Sequence, residues 1–183
     1  MIERADPSIR VSIPDPCLVV LVGPAGSGKT TLAARLFARD EILSSDDHRA
    51  LVSGDPADQR VTRVAFSILH RSLERRLAAG RLTVVDATNV ERHARQALLV
   101  RSTVAGLPAV AIVLDVPLEL AVARNRARPE RRVDDVVIAR QWSVLADALD
   151  RELLAGEGFA AVWRIGPAGL DGLVVERVSR ARQ

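Results

Sequence analysis

The sequence has little of what several protein classes require. One cysteine, Cys17, among 183 residues excludes a disulfide within the chain and any metal site built from cysteines. Tyrosine is absent, and Phe and Trp number only 3 and 2, so no platform for stacking several unpaired bases is visible. No run approaches the ~18 consecutive apolar residues of a membrane span, and no basic segment leads into an apolar one at the N-terminus. The expected location is therefore cytoplasmic, with no membrane partner. His48, His70 and His93 lack metal-ligand spacing and read as ordinary polar or helix-surface residues. Lysine is the sharpest scarcity: of 26 basic residues, all but one are arginine.

That one lysine, Lys29, lies in Gly23-Pro24-Ala25-Gly26-Ser27-Gly28-Lys29-Thr30. This is a phosphate-binding loop: glycines let several backbone N–H groups turn inward and approach a phosphate chain closely. It follows the apolar run 17–22 and opens the amphipathic run 31–37, so strand, loop and helix stand in the order such a loop needs. A chance match is expected in about one of every 100 to 200 chains of this length at ordinary glycine frequency. Gly23, Ala25, Gly26, Ser27, Gly28 and Thr31 are expected to surround the phosphates of ATP. Lys29 is expected to reach the β and γ phosphates, and Thr30 to hold Mg²⁺. Arginine has replaced lysine everywhere except where a compact ammonium must fit inside the loop.

Along the chain, 1–16 is polar with Pro7, Pro14 and Pro16 and reads as an extended leader, with the core starting at Cys17 in a single domain over 17–183. Strands are expected at 17–22, 41–45, 81–86 and 109–115, with helices at 29–39, 57–79, 91–104, 117–127 and 134–154 between and after them. Two final strands, 160–165 and 173–177, are expected around a Gly and Pro loop. This alternation predicts an α/β fold of the P-loop kinase type: a three-layer sandwich with a mostly parallel central sheet and an arginine-bearing helical lid at about 124–140. Ligands sit at the carboxyl ends of such strands. Three polar clusters fall there: the phosphate loop, Asp46 with Arg49, and Asp86 with Asn89.

A phosphate loop alone says only that a nucleoside triphosphate binds. A GTPase identifies guanine with Asn-Lys-x-Asp, which this chain, with no second lysine, lacks. Motor and AAA-type ATPases follow the strand-end Asp with a water-activating Glu, whereas Ala87 follows Asp86. Small P-loop kinases instead offer a carboxylate to the acceptor hydroxyl and close arginines over the transferred phosphate. Asp46 can take that proton while Arg49 grips the acceptor; Asp46 as a helix cap and Asp47 as the base are the competing readings. Arg124 and Arg128, one helical turn apart, are the lid candidates, with Arg126 on the other side and Arg131 and Arg132 beyond Pro129; the competing reading is a solvated arginine-rich loop. Asp86 is expected to order the Mg²⁺ water shell. Asn89 either touches the acceptor or forms a turn, and Trp163 either flanks adenine or packs in the core.

Together these residues resemble the polynucleotide 5′-kinase family, the kinase domain of bacterial end-healing RNA repair enzymes and of the phage polynucleotide kinase. The resemblance runs from Leu18 to about Trp142. It is carried by Ser44-Ser45-Asp46-x-x-Arg49, by 82–90 with Asp86 and Asn89, and by Arg124-Asn125-Arg126-Ala127-Arg128. It implies Asp46 as general base on a 5′-hydroxyl, Arg49 on the phosphate adjoining the acceptor nucleoside, and Arg124 and Arg128 on the donor phosphates. It also implies ATP and Mg²⁺ as cofactors and a 5′-OH end of RNA or DNA as the partner. No Asp-x-Asp-x-Thr phosphatase signature is present. A stand-alone kinase, or one partner of a separate phosphatase or ligase, is the form implied; a homodimer is a further expected form. A weaker likeness to sugar, antibiotic and nucleotide-sugar kinases keeps a small-molecule acceptor as the alternative, with a non-catalytic ATP-binding protein behind it.

Overall fold

The computed structural model describes residues 9–56, 58–128 and 132–179. Five strands form the central sheet in the order β3-β4-β2-β5-β6: β2 (Leu18–Val22), β3 (Ile42–Ser44), β4 (Thr83–Asp86), β5 (Ala109–Leu114) and β6 (Ala161–Ile165). Every pairing in it is parallel. Parallel strands need crossovers over the sheet faces, so both faces are covered, and β2, β4 and β5 are buried throughout.

Successive side chains face opposite layers. Val19, Leu21, Val84 and Ile112 join one apolar cluster with α1 (Lys29–Leu36) and α5 (Leu118–Arg126). Val20, Val22, Val85 and Val113 join the other with α3 (Thr62–Ala78), α4 (Arg92–Val104) and the C-terminal half of α6 (Asp135–Asp150). This is the expected three-layer α/β sandwich, and among the described residues it carries seven α-helices.

The leader is more than a leader. Its residues Arg10–Asp15 form β1, which pairs in parallel with β7 (Val174–Ser179) as a separate two-stranded sheet. Val11 and Ile13 are fully buried while Arg10 and Ser12 are exposed, the period-2 pattern of a half-buried strand. Pro14 and Pro16 obscured it, but proline is tolerated on an edge strand. The last strand therefore leaves the main sheet, and the short helix α7 (Pro167–Leu170) occupies the expected Gly and Pro loop. Arg177 on β7 grips Glu41 with two hydrogen bonds of 2.7 and 2.8 Å, and these hold the carboxyl below its usual range. Cys17 sits in the core as expected, where burial first and Asp15 second push its thiol up to about 12.

One buried ion pair joins distant segments. Arg95 on α4 meets Glu157 through Nε–Oε2 at 2.7 Å and Nη2–Oε1 at 2.6 Å, with both side chains 1% exposed. Its Nη1 also donates to the carbonyls of Asn89 and Val90 at 3.0 and 2.6 Å. The loop after β4 is thereby fastened to the C-terminal part of the chain. None of the described helices is long and apolar enough to cross a membrane.

Candidate active site

The phosphate loop follows β2 directly and ends at Gly28, whose left-handed backbone (φ 104°) delivers the chain into α1. Gly26 is also left-handed at φ 81°, and a side chain there would collide with the carbonyl of Ala121 on α5. Only glycine meets both demands. Lys29 Nζ bends over the loop and donates to the carbonyls of Gly23 and Pro24, each at 2.8 Å, and to Ser27 Oγ at 3.3 Å. Gly23 N donates to Thr88 O at 2.9 Å, which ties the loop to the segment after β4.

Thr30 Oγ1 donates to Asp86 Oδ2 at 2.8 Å. Asp86 is 5% exposed; burial raises its pKa, opposed by the Thr30 hydrogen bond and by Lys29. A buried carboxylate beside a hydroxyl is a hard-oxygen donor set that suits Mg²⁺, an ion held by one or two side chains while phosphate oxygens and water complete its shell. Among the described residues no group of three or more His, Cys, Asp and Glu gathers to hold a metal, and Mg²⁺ in such a site needs none.

Ser44 decides the direction of Asp46. The hydroxyl of Ser44 caps α2 (Ser45–Ser53) by accepting from the backbone N–H groups of Asp46 and Asp47 at 3.2 and 3.4 Å. Asp46 is therefore not the cap, and its carboxylate turns inward, where Arg49 Nη2 donates to its Oδ1. Arg49 is 4% exposed; its Nε donates to Pro56 O at 2.8 Å, and burial lowers its pKa. Asp47 turns outward and pairs with Arg39 at 2.6 Å, both side chains being largely exposed. Asp46, Arg49, Lys29, Thr30 and Asp86 line one cavity of ≈ 470 Å³.

The lid side follows. Arg124 Nη1 donates to Ser27 O at 3.3 Å, and Arg128 lines the same cavity as Asp46. Gly26 and Arg128 also line an adjoining cavity of ≈ 430 Å³ with Thr31 and Arg124. Arg126 turns away to Asp135, Nε–Oδ2 3.0 Å. Arg132 lines the Asp46 cavity, while Arg131 lies outside the described residues. In its described residues, the stretch expected as a lid is the end of α5 and the start of α6.

Three residues without an expected role support this frame. Asn125, 1% exposed, exchanges hydrogen bonds with the backbone of Val133 at 2.8 and 3.0 Å and so clips the two ends of the lid segment together. Gln141 on α6 accepts from Ala25 N at 2.9 Å. Phe66 on α3 lines the Asp46 cavity. Gln141 and Phe66 lie outside any motif, and Asn125, though inside the Arg124–Arg128 stretch, shows its role only in the fold.

Asn89 does not line the Asp46 cavity. Its amide donates to Leu21 O at 2.8 Å and Ala87 O at 3.3 Å, and its left-handed backbone (φ 49°) makes the turn after β4. That satisfies the turn reading; Asn89 lines instead a second groove between α3 and α4. Trp163 packs against the core, and Arg164 pairs with Asp115 at 2.7 Å.

A sequence profile described as an AAA domain matches residues 18–151, well over half of the chain. The chain belongs to this AAA domain family. No curated protein matches it. Its fold is that of the P-loop kinases. A chain in the structure of the Pnkp1/Rnl/Hen1 RNA repair complex matches at TM-score 0.65 and 24% identity, over 76% of this chain and 47% of that one. This chain thus spans about half the length of that relative. A sugar kinase from Janibacter sp. HTCC2649 matches at TM-score 0.53 and 21% identity, over 82% and 85% of the two chains. A chain of the PezAT toxin-antitoxin system of Streptococcus pneumoniae matches at TM-score 0.57 and 16% identity, over 90% and 73%.

Proposed function

We propose that the chain is an ATP-dependent polynucleotide 5′-hydroxyl kinase acting on the end of RNA or DNA. The observation that carries this reading is Asp46 and Arg49 facing one cavity with Lys29, Thr30 and Asp86: an inward carboxylate with a buried guanidinium beside it, next to a phosphate loop. The likeness to a chain of an RNA repair complex supports it at the level of fold.

Bound ATP with Mg²⁺ would supply the γ-phosphoryl group and neutralise charge on the β and γ oxygens. Thr30 and Asp86 would hold the ion. Asp46 accepts the proton of the 5′-hydroxyl as that oxygen bonds to the γ-phosphorus and the bond to the bridging oxygen of ADP breaks. Arg49 orients Asp46 and meets the phosphate adjoining the acceptor nucleoside. Lys29, Arg124 and Arg128 hold the donor phosphates and the charge that spreads over the transferring group. With Ala87 after Asp86, the glutamate that a motor ATPase uses to activate water is missing.

The test is transfer of labelled γ-phosphate from ATP to a 5′-OH oligonucleotide. A second reading, a small-molecule kinase, is favoured by the sugar kinase match, which spans most of both chains. A sugar or nucleoside phosphorylated faster than any oligonucleotide would replace the first reading with the second.

A further inference from the structure

Beside the Asp46 cavity lies a second groove of ≈ 590 Å³ between α3 and α4. Thr62 and Phe66 line both spaces, so the groove is the outward continuation of the cavity that holds Asp46. It follows one face of α3, where Thr62, Phe66 and His70 succeed each other a turn apart over about 12 Å. Its other wall is α4, at His93, Ala97 and Arg101. None of the roles assigned above uses it.

We propose that this groove takes the second nucleotide of a single-stranded 5′-hydroxyl acceptor, with its base against Phe66 and His70 and its phosphates toward Arg63 and Arg71. The inference rests on the nucleic-acid reading of the acceptor given above and names where that acceptor continues.

Three features select this occupant. First, the wall carries an aromatic pair: the Phe66 and His70 rings meet edge to face, centroids 6.1 Å apart at 72°. Bases stack on such surfaces whatever their identity. Burial, and then Arg101, lowers the pKa of His70, so at neutral pH the imidazole is an uncharged ring. Second, the rim is cationic. Arg63, Arg71 and Arg101 line it against one carboxylate, Glu74, which is already engaged by Arg101 at 3.0 Å. Arg63 and Arg71 are exposed and make no ion pair with a described residue, as a phosphate contact requires. Third, the interior is small and apolar at Ala94, Ala97 and Leu98, which leaves room for a flat ring. A sugar acceptor, complete within the Asp46 cavity, has no use for the groove.

The test compares three acceptors: a 5′-OH nucleoside 3′-phosphate, a dinucleotide and a hexanucleotide. Occupation of the groove raises kcat/KM by about 10-fold or more from the first to the second, through KM, since stacking one base contributes about a factor of ten. Two variants outside the Asp46 cavity remove that gain. Ala97→Trp fills the groove, and Arg63→Ala with Arg71→Ala strips its rim; both keep kcat/KM on the nucleoside 3′-phosphate within about 2-fold. In the arginine variant, fluorescence anisotropy of a labelled 5′-OH hexanucleotide also reports binding weakened about 10-fold, with MgATP affinity unchanged. Equal kcat/KM on all three acceptors, or variants that lower all three alike, overturns the groove and leaves the kinase reading standing. Phosphorylation of a sugar with no transfer to any nucleotide acceptor removes both.

Discussion

Thr30 Oγ1 and Asp86 Oδ2 lie 2.8 Å apart, so the first turn of α1 is joined to the end of the neighbouring strand β4 through the two groups that would meet a metal ion. The carboxylate is buried and its pKa is raised. A folded state that raises a carboxyl pKa binds the proton more tightly than the unfolded state does. Its stabilising contribution is therefore full below the ordinary carboxylate value near about 4 and is lost as pH rises through the raised value. Without ligand, the protein loses stability over that window. Asp86→Asn flattens the loss and raises Tm at pH 7, and the same variant cancels the Tm gain from MgATP. Thermal melts against pH, with and without MgATP, check both halves; a variant that keeps the full MgATP gain would show that Asp86 takes no part in holding the ion.

Lys29 Nζ donates to two carbonyls and one hydroxyl of the loop. Lys29→Ala should abolish phosphoryl transfer and leave the circular dichroism spectrum unchanged. Full activity in this variant would remove the kinase reading, because no other described lysine exists to take the place of its ammonium.

Arg124 and Arg128 face the two cavities that flank the phosphate loop, whereas Arg126 is held away by Asp135. Arg124→Ala and Arg128→Ala should each lower turnover by about 10²-fold or more, since stabilising the transferring group is most of this chemistry. Arg126→Ala should leave turnover within about 2-fold. Lysine at 124 or 128 should restore activity only in part, because the planar fork is lost. Equal rates for all three alanine variants would make the run a solvated face.

Much of this was legible in the sequence because the decisive signals were local. Gly26, Gly28 and Lys29 announce the loop, and the buried runs at 17–22 and 109–115 announce parallel strands covered on both faces. The strand at Arg10–Asp15 was hidden because its partner, β7, lies more than 150 residues away, and two prolines read as punctuation. Asn125, Gln141 and Phe66 were illegible for a related reason: each acts across a tertiary contact that leaves no trace in spacing. The choice between Asp46 and Asp47 needed the cap. Ser44 fixes the start of α2, and that start sends one carboxylate inward and its neighbour to Arg39.

Arg95 and Glu157 are both buried and satisfy each other through two hydrogen bonds. Removing one partner strands the other charge in the interior. Glu157→Ala should destabilise the fold by about 3–5 kcal/mol, lowering Tm by roughly 10 °C. Arg95→Met with Glu157→Leu, which removes both charges at similar volume, should recover a large part of that loss. Chemical denaturation of the three proteins measures it; a double variant no more stable than Glu157→Ala would mean that the backbone contacts of Arg95 to Asn89 and Val90 dominate.

Asp46 and Arg49 carry the last expectation, since one is the proposed base and the other the proposed grip on the acceptor. Asp46→Asn keeps the size and can still accept from Arg49, but it cannot take a proton. Turnover should fall by roughly 10² to 10⁴ while ATP affinity barely changes. Asp47→Asn, on the outward side chain, should cost less than about 2-fold, so the pair of variants separates the two carboxylates within one helical turn. Arg49 has a different signature. Phosphate contacts position a nucleic acid without reading its sequence, so oligonucleotides of differing sequence should be phosphorylated at similar rates. A nucleoside lacking its 3′-phosphate should be a poor acceptor. Arg49→Ala should bring a nucleoside 3′-phosphate down to the level of that bare nucleoside and change the nucleoside itself far less. A nucleoside phosphorylated as fast as its 3′-phosphate by the unaltered protein would remove Arg49 from the acceptor phosphate, and an Asp46→Asn variant with normal turnover would remove Asp46 from the chemistry.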